Sequence, residues 1–139
     1  MFTSVCAGPF DKEKAWEKRG REIPSADREV VAVLRATKED DLSRRFRLVT
    51  ALGVLGGDDS VAELTKLLGD PSHLICERAV WGLVRIGDAR VLRAIGRLLE
   101  NEPDDQTKRF ARKTLEQIGG SEALDLRRRS ESPRRDIDR

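Results

Sequence analysis

The chain has 139 residues, 38% of them hydrophobic and 37% charged, with four Phe, two Trp and no Tyr; this is one domain's worth of core, in a composition suited to solvent-rich helices rather than to a sandwich of aromatic and β-branched strands. Lys and Arg number 27 against 25 Asp and Glu, a net charge of +2, so no global field draws the molecule to nucleic acid or to an anionic membrane. Cys6 and Cys76 belong to no CxxC or Cys/His cluster, which argues against a disulfide or a zinc site; free thiols point to a reducing, cytoplasmic setting.

The opening MFTSVCAGPF is mildly apolar, has no basic lead and is interrupted by DKEK. It does not read as a signal peptide, and no stretch approaches membrane-spanning length. Residues 11–21 carry a weak helical pattern in which Trp16 is expected to hold a short amphipathic helix over the first apolar edge, so 1–24 reads as an N-terminal capping segment. A helix over 25–37 follows, where Val31-Ala-Val-Leu34 echoes Val61-Ala-Glu-Leu64 and resembles a degenerate half repeat.

Self-similarity then dominates. FRLVTALGVLG from Phe46, ERAVWGLVRIG from Glu77 and RFARKTLEQIG from Arg109 superpose without gaps, closing on Gly56, Gly87 and Gly119. Leu52, Leu83 and Leu115 share one register, and Leu55, Ile86 and Ile118 another. Sixteen residues before each glycine stand Asp40, Pro71 and Pro103, each after an acid. Acid-Pro pairs and glycines suit helix starts and left-handed stops, and Ser60-Val-Ala-Glu63 has the form of a capping box. The predicted helices are 41–55, 59–69, 72–86, 89–101, 104–118 and 121–129, within a repeat domain spanning 25–125. In the last helix Arg127 replaces the Leu64 and Ile95 of earlier repeats. This is the polar outer face of a terminal repeat, expected to run into a basic, disordered tail over 126–139.

The pattern in ICERAVWGLVRIGD followed by AIGRLLEN resembles HEAT repeats, in particular the short HEAT-like repeats of the phycobilisome-lyase type, over roughly residues 28 to 125. The resemblance implies an all-α fold: a right-handed α-solenoid of antiparallel helix pairs, about three repeats long, serving as a scaffold or binding surface. The helix before each Ile-Gly would line the concave face and the one after it the convex back. The family's usual Arg is Arg45, but its equivalents here are Cys76 and Lys108, so no uniform Arg ladder runs through the repeats. Fold resemblance specifies architecture far better than function.

Helical phase places residues one, four, five, eight and twelve before each glycine on a core face; in the middle repeat these are Ile86, Leu83, Gly82, Ala79 and Ile75. The opposite face carries Phe46, Thr50 and Gly53, then Glu77, Trp81 and Val84, then Arg109, Lys113 and Glu116. Phe46, Thr50, Glu77, Trp81, Val84, Arg85, Arg109 and Lys113 are therefore the candidate concave binding face, with the aromatic and Arg content of interaction hot spots. Three readings of Trp81 stay open: packing between repeats, contact with a partner, and self-association.

Catalytic chemistry finds little support. His73 is the sole histidine, so no triad or His-rich metal set can be assembled, and the family's di-iron members would need His-Glu pairs that are lacking here. Asp58, Asp59, Asp104 and Asp105 sit at helix starts, where the helix dipole accounts for them. The expected function is thus a non-enzymatic protein-protein interaction module or adaptor, without cofactor or metal, monomeric or weakly self-associating, and without a membrane role. One alternative is a nucleic-acid-binding protein that uses Arg44, Arg45, Arg47, Arg78, Arg85, Lys108, Arg109, Arg112 and Lys113. Another, implied by the resemblance alone, is an accessory subunit of a phycobilin-lyase-type complex. In the tail, Arg127-Arg-Arg-Ser130 and Ser132-Pro133 have the form of kinase sites, set against a simply solvated charged end.

Overall fold

A computed structural model describes residues 26–131, all of whose regular elements are helices. The expectations for 11–21, Trp16, Cys6 and the tail from Ser132 onward lie outside these residues. Seven helices follow in order: α1 Ala26–Ala36, α2 Leu42–Leu55, α3 Asp58–Leu67, α4 His73–Ile86, α5 Ala89–Asn101, α6 Asp105–Ile118 and α7 Ser121–Glu131. Sequence periodicity places every one of them within two residues, the largest differences being that α3 stops at Leu67 rather than 69 and that α7 continues two residues past 129. The first residues of the expected tail are accordingly helical, with Arg127 paired to Glu131 at 3.1 Å.

The helices pack in two layers, α1, α3, α5 and α7 in one and α2, α4 and α6 in the other. This is an α-solenoid of antiparallel helix pairs. Its core runs between the layers through Val49, Leu52, Leu64, Leu68, Ile75, Leu83, Val91, Ile95 and Leu115, all fully buried. Within the even layer, α2 and α4 are in the closest association, because Gly53 and Gly82 face each other there. A methyl group built on Gly53 would lie 2.8 Å from the Cα of Gly82. We refer to α2, α4 and α6 as the inner helices, because theirs is the layer that the family resemblance assigns to the concave side.

Helix ends follow local chemistry. Gly56 and Gly87 close α2 and α4 at φ of 66° and 54°, each N–H returning to a leucine carbonyl four residues back, a left-handed turn that other residues adopt only with strain. The acid-Pro pairs work differently from expectation. The N-caps are Ser72 and Asp104, one residue beyond each proline, and Asp70 and Glu102 accept hydrogen bonds from the N–H groups of Ser72 and Asp104 at 3.0 Å each. The acid spans the proline because proline has no N–H to offer.

The capping box at Ser60 and Glu63 does not form. Gly57 is the N-cap of α3, which puts Ser60 inside the helix. There its N–H and hydroxyl both donate to the buried Asp27 of α1, at 3.3 and 3.4 Å. Glu63 accepts from Arg35 at 2.8 Å. An acid from α1, two helices earlier, thus supplies the anion that the start of α3 attracts. Two positions also differ from the helical-phase reading. Gly53 is buried rather than outward, and Leu55 is 44% exposed despite its core phase, since as the last residue of α2 it lies beyond the packed middle of the layer.

Candidate binding surface

The eight predicted site residues all lie on α2, α4 and α6, and their neighbours divide them into three groups. Phe46 and Trp81 come together through a residue outside that set, Arg78. Its guanidinium carbon lies 4.1 Å from the Phe46 ring centre and 4.7 Å from that of Trp81. Arg85 approaches the other residues from one turn later in α4, 5.8 Å from the Trp81 ring. Cationic guanidinium groups over aromatic faces attract the ring quadrupole, and here they hold two helices in register.

Trp81 is half-buried, and its orientation follows from a missing side chain. The indole lies sideways in the α2–α4 groove; a methyl group on Gly53 would come within 2.8 Å of Trp81 Cζ3. Packing between repeats and partial exposure of Trp81 therefore coexist. Thr50 is half-buried and donates its hydroxyl to the Phe46 carbonyl at 2.8 Å, and Val84 is half-buried against the core cluster.

The second group is an ion pair. Lys113 Nζ reaches both carboxylate oxygens of Glu77 at 2.8 Å, joining α4 to α6 on the surface. Arg109 makes up the third group: it is exposed and has no carboxylate partner among the described residues.

Electrostatics separate the basic residues further. Arg45 is buried and bonds Asp70 through both terminal nitrogens, Nη1 to Oδ2 at 3.1 Å. Hydrogen bonding to Asp70 holds its pKa above the ordinary value, so Arg45 is a structural strut and leaves the basic stripe. Arg112 donates to the hydroxyl and carbonyl of Ser130 at 3.1 and 3.3 Å, tying α7 to α6. Burial beside Asp70 pushes the Cys76 thiol up to about 11, and its Sγ donates to the Asp70 carbonyl at 3.1 Å. His73 packs edge-on against Phe110, 5.5 Å between ring centres, and shares a 2.9 Å hydrogen bond with Gln106.

Among the described residues, no three His, Cys, Asp or Glu side chains cluster closely enough to hold a metal ion, and no helix is long and apolar enough to cross a membrane. The sequence profile described as HEAT repeats matches residues 30–116. The chain belongs to the HEAT-repeat family. That span runs from α1 to the last turns of α6, so α7 closes the HEAT stack beyond the matched repeats. No curated protein matches the sequence.

Arg78 and Asp70 are the residues that sequence reasoning underweighted. Arg78 was legible only as one of nine basic residues, although its spacing three before Trp81 puts the two side chains on one helical flank. Asp70 read as part of a turn; its partnership with Arg45 joins residues 25 apart in the chain, and no local pattern encodes that.

Proposed function

We propose that this HEAT-repeat chain is a non-enzymatic protein-binding module that holds its partner on the inner face of α2, α4 and α6. The observation that carries the reading is the Phe46–Arg78–Trp81 stack. It presents a half-buried Trp and an Arg on a rigid helical layer, the combination in which truncation most often costs an interface more than about 2 kcal/mol. HEAT repeats are in general interaction scaffolds, and this surface concentrates the aromatic and Arg content that interface cores favour.

A nucleic-acid role receives less support. Asp40, Asp41, Asp70, Asp104 and Asp105 line the N-terminal ends of the inner helices, and an acidic border of this kind repels a phosphate backbone extending beyond the inner strip.

The test is tagged capture from a native lysate, with and without nuclease, using the parent chain, Trp81→Ala and Arg85→Ala. Retained proteins should survive nuclease and drop out with either substitution while far-ultraviolet circular dichroism stays unchanged. Identical capture by all three chains would remove the inner face as the binding site.

A further inference from the structure

Charge in the described chain is segregated by element. The inner helices α2, α4 and α6 hold nine basic residues against Glu77, Asp105 and Glu116, and α2 has no acid at all. The connecting segments hold Glu39, Asp40, Asp41, Asp70, Asp88, Glu102 and Asp104 against Lys38 alone. Of the inner acids, Glu77 is taken by Lys113 and Glu116 faces Arg127 at 3.9 Å. Arg47, Arg78, Arg85 and Arg109 have no carboxylate partner among the described residues.

Arg78 lies over the Phe46 and Trp81 rings and Arg85 over Trp81. A ring contact of this kind uses none of the guanidinium N–H donors, whose fork matches a carboxylate through two parallel bonds. Neither side chain donates to an acceptor among the described residues. Arg47 occupies the register of Arg78 one repeat earlier, and Val54 and Leu74 stand on the same layer at 58% and 48% exposure.

Resting on the reading above that the inner face binds protein, we infer that its partner is an acidic peptide segment, with carboxylates received by Arg47, Arg78, Arg85 and Arg109 and interspersed aliphatic residues on Val54, Leu74 and the Trp81 edge. Clustered guanidinium groups repel one another across adjacent helices, and an incoming carboxylate relieves that repulsion while gaining charge-assisted hydrogen bonds. Helices packed about 10 Å apart give the three-helix face a width of about 20 Å. An extended strand rising about 3.3 Å per residue crosses it with roughly six residues.

The experiment uses the full chain and fluorescein-labelled peptides of equal length in which one leucine scaffold is interrupted by Glu, Gln or Lys, with labelled oligo-dT as a fourth probe, read by anisotropy. The Glu peptide should bind, the Gln peptide at least about tenfold more weakly, and the Lys peptide not at all. Arg78→Ala and Arg85→Ala should each weaken the Glu peptide severalfold and leave the Gln peptide unchanged. The Glu-to-Gln comparison needs no altered protein, so it stands even if a variant is unstable. Equal affinity for Glu and Gln peptides, or absence of Glu-peptide binding, overturns the acidic preference. The broader reading then stands or falls separately on the Trp81-dependent capture. Tighter binding of oligo-dT, with a steep fall as salt rises, overturns it in favour of a phosphate-binding face.

Discussion

Two glycines in the middle of helices, Gly53 in α2 and Gly96 in α5, should respond to the same substitution with opposite sign. Exchanging an interior helical glycine for alanine gains about 1 kcal/mol of helix propensity. At Gly96 the added methyl group meets only Leu126 Cδ2, at 3.6 Å, ordinary van der Waals contact, so Gly96→Ala should keep that gain. At Gly53 the methyl group falls 2.8 Å from both the Gly82 backbone and Trp81 Cζ3. A backbone cannot rotate aside, so α2 and α4 must separate. Overpacking of this kind costs about 1–3 kcal/mol, which offsets the propensity gain and leaves Gly53→Ala less stable than the parent by up to about 2 kcal/mol. For a domain of this size a loss of that order lowers the melting temperature by up to roughly 15 °C. Urea unfolding monitored by circular dichroism gives both values, and in a Trp16→Phe background the Trp81 fluorescence of Gly53→Ala should shift to the red as the indole lifts from its groove. A Gly53→Ala protein as stable as Gly96→Ala, with unaltered fluorescence, would refute the close α2–α4 contact and with it the sideways placement of Trp81.

Three further outcomes follow from the buried and capping groups. Asp70→Asn should lose about 3 kcal/mol in urea unfolding, because Arg45 would keep a buried charge without its counter-ion; a loss below about 1 kcal/mol would mean the pair is solvated. Asp88, through its hydrogen bonds from Arg90, and Asp104, through those from Thr107, have pKa values held below the ordinary 3.8. Their contribution to stability is complete above that pH and disappears as pH falls through the lowered folded values. Unfolding measured across acidic pH should therefore show a shallower acid decline for Asp88→Asn/Asp104→Asn than for the parent. In a Cys6→Ser background, Cys76 should react with a disulfide reagent at mildly alkaline pH only as fast as the protein opens, since its thiolate is disfavoured by burial; rapid stoichiometric labelling of the folded protein would contradict the buried site.

Most of the architecture is legible in the sequence because it is written in local, repeated terms. A glycine stop every 31 or 32 residues, a leucine four before it and an acid-Pro turn sixteen before it act within one helix or one turn, and each repeat restates the others. Helical phase likewise puts Phe46, Trp81 and Lys113 off the core face, and all three are partly exposed, since phase is a property of a single helix.

What sequence alone determined was therefore the set of helices, their pairing into HEAT repeats and the layer on which the aromatic and basic residues sit. The tertiary structure decided which of those residues are engaged with one another. Arg45 is drawn inward by Asp70, Lys113 is matched by Glu77, Asp27 serves a helix that starts some thirty residues later, and the glycine pair Gly53 and Gly82 lets Trp81 lie down between helices. Such pairings depend on distances between elements far apart in the chain, and those distances are set only when the repeats stack.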